Sequence, residues 1–327
     1  MSFKHFFSFF PFLKIIRKYP ESGIFLSWIL VIIFFSFLSE RFLTLENFAS
    51  ILTITAELGI VAIGVAFLMI AGEFDLSVGS VYAVAPMVLA TLWEQGIDPF
   101  LGLILSLLIS SSIGFINGYI TLKTDIPSFL TTLGTMMFFR GVLLATTGGF
   151  PIYAKGTHLL FLLLNSRLFK DFRSSAIWLV IIAIIFTLIL TKTRYGNWVF
   201  AVGGNKEAAR AVGIPVKKVK LVNFVISGLL AGLAGIISFS RFKIVDPTLG
   251  EGLELEAIAA AVIGGCLLSG GHGSIVGTFV GTLLTASINT GLVLIGAPPY
   301  WYRAFIGLIL VIATIINMLI LKKVVLK

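Results

Sequence analysis

Glu57, Asn117, Arg140, Asn223, Asn289 and scattered Ser and Thr are the polar side chains that interrupt otherwise apolar stretches of the chain. A charged group in such a stretch needs a partner or a water-lined cavity, because placing it in hydrocarbon costs about 2.5–3.5 kcal/mol even on lenient insertion scales. Arg140 is the sharpest case, and it predicts either a guanidinium facing a cavity or one bonding nearby carbonyls. With Thr132 and Asn289, Glu57, Asn117 and Arg140 are the candidates for lining a path through the protein. They are too few in carboxylates to form the relay that a proton-coupled pump requires. The three histidines, His5, His158 and His272, are far apart, and the lone cysteine, Cys266, lies in an apolar run. That pattern offers no metal cluster, no internal disulfide and no nucleophile–base pair, which argues against a membrane-embedded enzyme.

Two segments between apolar runs carry denser signals. In the first, Gly72-Glu73-Phe74-Asp75-Leu76-Ser77-Val78-Gly79-Ser80, Asp75 and Ser77 are suited to satisfying broken backbone and the glycines to a tight turn. It reads either as a gate or path element or as a capped turn at the membrane surface. The second runs from Gly203 to Pro215. Asn205 suits a helix cap, Glu207 its first turn, and Gly213 with Pro215 its stop. The expected product is a helix of about two turns outside the bilayer, with Ala208 and Ala209 forming a thin face able to enter a partner's groove. A solvated interfacial helix is the plainer reading.

These segments must be positioned by membrane spans. Of 327 residues 58% are apolar and 12% charged, with mean hydropathy +1.06. Soluble domains carry about 25% charged residues. The composition therefore excludes a soluble enzyme, a disordered tail and a coiled coil, and the Lys and Arg sit in loops rather than on a nucleic-acid-binding face. Ten stretches are long and apolar enough for spans, near 22–39, 51–71, 79–94, 100–122, 127–147, 174–191, 221–239, 253–269, 274–295 and 303–321. The third is short, and the eighth is rich in Ala and Gly. With the N-terminus inside, the loops hold fifteen Lys and Arg inside and eight outside. That bias predicts both termini in the cytoplasm. The expected organisation is a cytoplasmic segment over 1–21, one membrane domain over 22–321 and a tail over 322–327. The first span has no small-residue cleavage site after it, so it reads as a retained anchor. The longest inner loop is 192–220 and the longest outer one 148–173. Small-residue faces at Gly114/Gly118, Gly228/Gly232 and Gly273/Gly277/Gly281 predict close helix packing within the chain. Ten spans would suit an inverted five-plus-five repeat, but the halves do not align, and only Leu76–Ser80 and Leu268–Ser274 are faintly alike.

The whole pattern resembles the permease subunit of ribose-type, simple-sugar bacterial ABC importers, within the superfamily that includes branched-chain amino acid permeases. The resemblance covers residues 40–318. It rests on Phe42–Phe48, Asp75–Ser80, Asn117-Gly118, Pro127–Met136, Arg140-Gly141, Gly203–Arg210 with Gly213, Ser227–Gly235, Gly250–Ala260, Val262–Gly265, Leu268–Gly271 and Pro299–Trp301. It implies an all-α, type II-like importer permease of about ten transmembrane helices in the bacterial cytoplasmic membrane. The implied partners are ABC ATP-binding subunits, an extracytoplasmic sugar-binding protein, a second permease copy and membrane lipid, with no nucleic acid. It also implies that Gly204, Asn205, Lys206, Glu207, Ala208, Ala209, Arg210 and Gly213 form the coupling helix seated on the ATPase. ATP and magnesium would be held by that partner, and no cofactor by this chain. Leu268-Ser269-Gly270-Gly271-His272 resembles the ABC ATPase signature, yet the chain has no GxxxxGK[ST] phosphate loop. One departure stands out: many relatives read Gly-Gly-Ile-Asp-Leu-Ser where this chain has Gly72-Glu73-Phe74-Asp75-Leu76-Ser77. Ribose itself is therefore not carried over: the motifs favour a simple sugar of the pentose or hexose class, with a branched-chain amino acid, a nucleoside or a furanosyl signal as alternatives of the same architecture, and an ion-coupled carrier is the alternative of another class.

Overall fold

The computed structural model describes residues 21–154, 156–298 and 300–325. Most of the expected 1–21 segment and the end of the 322–327 tail lie outside the described residues. The helices are α1 (Glu21–Leu38), α2 (Leu45–Ile70), α3 (Val78–Glu94), α4 (Pro99–Thr124), α5 (Ser128–Thr147), α6 (Leu159–Asn165), α7 (Ser174–Lys192), α8 (Arg194–Gly204), α9 (Lys206–Ala211), α10 (Val216–Phe242), α11 (Leu253–Ile263), α12 (Ile275–Leu294) and α13 (Tyr300–Val325). Two short antiparallel ribbons join β1 (Ile152–Tyr153) to β4 (Ile244–Val245) and β2 (Arg167–Phe169) to β3 (Phe172–Arg173).

Six helices, α2, α4, α5, α7, α10 and α12, are long and apolar enough to cross a membrane, and shorter apolar helices cover Gly23–Leu38, Val78–Glu94 and Tyr300–Ile312. The chain is a multi-pass membrane protein. Its eighth expected span, 253–269, is not a full span. At 1.5 Å per residue α11 rises about 16 Å, half of a hydrocarbon core of about 30 Å. It stops because Gly265 turns the chain at φ 92° and the Cys266 amide bonds back to the Ala261 carbonyl, and Gly264 lies against the backbone of Gly277 and Thr278.

Burial sorts the helices. From Leu58 to Ile70 every residue of α2 is buried, so this helix, apolar on all sides, is the central post. Helices α1, α5 and α7 turn Phe34, Phe37, Met137, Phe138, Ile184 and Leu188 outward, as lipid-facing helices do. The small-residue faces pack inside the chain. A methyl on Gly228 would strike the Ser110 carbonyl, one on Gly114 the Phe224 carbonyl, and one on Gly281 the Ala260 carbonyl. Backbones at these crossings touch because no side chain stands between them.

The repeat that the residues do not reveal is visible in the packing. Helix α10 lies on α4 and α3 as α2 lies on α12 and α11, and α3 lies on α4 and α5 as α11 lies on α12 and α13. Helices α2 and α10 run in opposite directions, so the two units are inverted. Each has a long helix, a non-helical return and a short helix, the returns being 71–77 and 243–252. Leu268–Ser274 follows the second short helix and is not the counterpart of Leu76–Ser80. One end of the bundle gathers the α4–α5 turn, α8, α9 and the start of α10, with Lys123, Lys206, Arg210, Lys217, Lys218 and Lys220. It is called the basic end below.

Candidate functional site

Helix α2 reaches the basic end at Ile70, Gly72 adopts φ 81°, and the chain turns back into the bundle. The returning segment has no ladder partner, so side chains satisfy its backbone. Phe74 N donates to Ser128 Oγ at 3.0 Å, and Leu76 N to Thr132 Oγ1 at 3.0 Å. Ser128 and Thr132 are one turn apart, so the segment climbs along α5. Asp75 is wholly buried. Its Oδ1 accepts from Ser77 N at 2.9 Å and Ser77 Oγ at 2.6 Å, and its Oδ2 accepts from Ser227 Oγ at 2.9 Å. Asn117 Nδ2 donates to Ser77 Oγ at 2.8 Å. Asp75, Ser77, Asn117 and Thr132 are thus one network joining the return to α4, α5 and α10. The surface-turn reading does not hold, since the Asp–Ser cap exists but is buried among helices.

Arg140 serves the other return. Its Nη1 donates to the carbonyls of Pro247 and Leu249 at 2.6 and 2.9 Å, and its Nη2 to the Gly79 carbonyl at 3.3 Å. One guanidinium therefore ties α5 to the 243–252 return and to the start of α3. Of the two readings open for it, the structure places Arg140 on backbone carbonyls, a task that suits its rigid fork of donors. Asp246 shapes the same loop. It accepts from Thr248 N and Thr248 Oγ1, and these bonds hold its carboxyl below the usual range.

Glu57 and Asn289 lie apart from this network. Glu57 on α2 accepts from Ser238 Oγ at 3.3 Å and lies 3.5 Å from Arg241 Nη1, both on α10. Asn289 on α12 reaches the Tyr302 hydroxyl, which also donates to Glu256 at 3.0 Å.

At the basic end the expected helix is present. Asn205 Oδ1 accepts from the amides of Glu207 and Ala208, both at 3.0 Å, α9 runs over Lys206–Ala211, and Gly213 turns out at φ 83°. Glu207 pairs with Arg210 at 2.8 Å on the exposed side. The two alanines do not share a face: Ala208 is exposed, whereas Ala209 is buried against the protein. Gly204, Lys206, Glu207, Arg210 and Gly213 are also exposed.

The Leu268–His272 loop also lies here. Gly271 N donates to the Ile70 carbonyl at 2.8 Å. Methyls on Gly203 and Gly270 would meet Ile70 and Gly72 respectively. This is a backbone junction of α2, α8 and the α11–α12 connection, and the resemblance to a nucleotide-binding signature has no bearing on it.

Residue-type reasoning missed three parts of this site. Helix α8 was read as loop, although Thr193 caps it by accepting from Gly196 N. Ser227 enters the sequence reading only at the head of the Ser227–Gly235 motif, not as a partner of Asp75. Asn223 was noted as an intramembrane polar residue, but its pairing with the Tyr195 hydroxyl and the Phe67 carbonyl was not foreseen.

A family model described as the permease component of branched-chain amino acid transport systems matches residues 47–314. The chain belongs to this permease family. It is 38% identical over 295 residues to the ribose import permease protein of Bacillus subtilis (strain 168), covering 90% of this chain and 92% of that one. It is 34% identical over 290 residues to the ribose import permease protein of Escherichia coli (strain K12), covering 86% and 88%. It is 34% identical over 313 residues to the xylose/arabinose import permease protein of Sulfolobus acidocaldarius, covering 93% and 86%. The resemblance drawn from the motifs is borne out. No solved structure matches the permease.

Proposed function

We propose that this permease is the membrane subunit of an ATP-driven ABC importer for a simple sugar of the pentose or hexose class, delivered by an extracytoplasmic binding protein. The observation that carries the reading is α9, a capped helix exposed on a loop at the basic end whose flanks are fastened to the core. Its chemistry suits a groove on a cytoplasmic ATPase, and the Lys and Arg bias of the loops supports a cytoplasmic position for that end and for both termini. Sugar specificity follows from relatives whose names state ribose, xylose/arabinose and allose.

In this reading the chain does no bond chemistry. A partner ATPase supplies ATP and magnesium, and two permease copies form the path between them. Coupling runs through Gly204–Arg210 and Gly213. Asp75, Ser77, Asn117, Thr132 and Arg140 act as gate elements because they hold the two returns, the parts of the bundle with least regular structure. Glu57 and Asn289 are further candidates for the path. Switching between outward- and inward-facing states is a rigid-body change biased by nucleotide.

The test is reconstitution in nanodiscs and vesicles with the ATPase and binding protein encoded beside it, against ribose, xylose, arabinose and allose. Hydrolysis stimulated by one liganded binding protein, with uptake of that sugar, is the expected result. Uptake that follows an ion gradient and ignores ATP would overturn the reading.

A further inference from the structure

The segment between Gly204 and Lys220 carries α9 and is fastened to the first return at both ends. Before α9, the end of α8 is in backbone contact with the end of α2: Gly203 sits against the Ile70 carbonyl, with no room for a side chain. After α9, Lys220 Nζ on α10 is paired with Glu73, the first residue of the return beyond Gly72. Both side chains of this pair are largely withdrawn from solvent, at 10% and 14% exposure. Between these two fastenings α9 packs mainly on α8 and α10.

A cleft of about 550 Å³ opens beside the pair. Lys206, Glu207 and Arg210 of α9 line one side, and Asp125, Ile126 and Pro127 of the α4–α5 turn line another. Helix α9 therefore has space to shift relative to that turn, while its links to the return stay closed. Beyond Glu73 the return is clamped to Ser128, Thr132, Ser227 and, through Ser77, Asn117. A displacement of α9 thus has a continuous physical route to the inside of the bundle.

A largely buried ion pair is poor evidence for stability, because well-packed apolar residues often serve as well. Its distinctive property is that each partner is strongly disfavoured without the other, which makes it a stiff link between two segments.

We propose that Glu73 and Lys220 are positioning residues for energy coupling: with the Gly203–Ile70 junction they transmit movement of the 205–219 segment to the 71–77 return. This rests on the importer reading above. The test uses the complete transporter in vesicles and reads sugar taken up per ATP hydrolysed, with co-purification of the ATPase and thermal melting of the complex as parallel readouts. Glu73→Gln and Lys220→Met are each expected to lower the uptake-to-hydrolysis ratio about tenfold while the ATPase still co-purifies. The exchanged pair, Glu73→Lys with Lys220→Glu, is expected to restore at least half of the ratio. Wild-type ratios in both single variants would overturn the proposal. So would equal losses of uptake and hydrolysis with a lowered melting temperature that the exchange does not rescue, the signature of a structural role alone. Failure of the unaltered complex to take up sugar with ATP would instead count against the importer reading.

Discussion

Ser227 on α10 donates a 2.9 Å hydrogen bond to Oδ2 of Asp75, a carboxylate with no solvent exposure, across the crossing of the first return and α10. Interhelical hydrogen bonds in membranes contribute about 0.6 kcal/mol on average and up to about 1.7. Full burial of both side chains places this one toward the upper end. A double-mutant cycle of Asp75→Asn and Ser227→Ala, read from unfolding in detergent, should give a coupling energy of about 1–1.7 kcal/mol. A coupling within error of zero would show that the two side chains stabilise the fold independently.

Arg140 should be difficult to replace. Its three bonds go to carbonyls of the 243–252 return and of the first turn of α3, and a lysine ammonium presents a point charge in place of the fork. Arg140→Met should lower the melting temperature and speed protease cleavage within 246–252, with Arg140→Lys intermediate. If Lys matched Arg in both readouts, the shape of the guanidinium would not matter here and charge alone would suffice.

The Asp246–Thr248 cap makes a prediction about pH. The folded carboxyl lies below its ordinary value of about 3.9. Its contribution is therefore fully present above that ordinary value and is lost as pH falls through the lower, folded one. Loop cleavage should not change from pH 8 to pH 5 on account of this group. Asp246→Asn should raise cleavage at pH 7, imitating the protonated state. A cleavage rate that climbed between pH 7 and 5 in the parent, and stayed flat in Asp246→Asn, would reverse the assigned direction.

Glycines should divide sharply by what lies above them. At Gly203 a methyl would run into the Ile70 carbonyl, a backbone atom already engaged by Gly271 N. Gly203→Ala is expected to remove most folded permease from the membrane fraction. At Gly134, mid-helix in α5, an added methyl meets nothing within 4 Å. Gly134→Ala should leave the yield unchanged and raise stability by about 0.5–1 kcal/mol. Comparable yields for both variants would mean that the junction at Ile70 can relax.

How much of this was legible in the residues depends on the period of the signal. Each of the ten expected stretches contains a helix, and six of these helices are long and apolar enough to cross a membrane, because apolar length is a local property. The stretch 253–269 falls furthest short, since α11 ends at Ile263, where Gly265 turns the chain and the Cys266 amide bonds back to the Ala261 carbonyl. The α9 cap was legible because Asn205, Glu207 and Gly213 act on their own neighbours. The inverted repeat was not, since it resides in which helix lies on which. Asp75 stands out among the residues, but its burial does not. Its partners Ser227 and, through Ser77, Asn117 are 152 and 42 positions away, and only the fold brings them together.

The two alanines of α9 separate docking from folding. Ala208 is exposed and Ala209 is 3% exposed, packed against its own chain. A bulky side chain at Ala208 projects into whatever seats on α9, whereas one at Ala209 must lift the helix off the core, and overpacking of that kind costs about 1–3 kcal/mol. Ala208→Trp should therefore weaken co-purification of the ATPase and cut sugar-stimulated hydrolysis at an unchanged melting temperature of the isolated permease. Ala209→Trp should lower that melting temperature as well. If Ala208→Trp left ATPase binding and stimulated hydrolysis intact, the exposed face of α9 would not be the docking surface, and the partner would have to seat on the other exposed residues of the 192–220 loop.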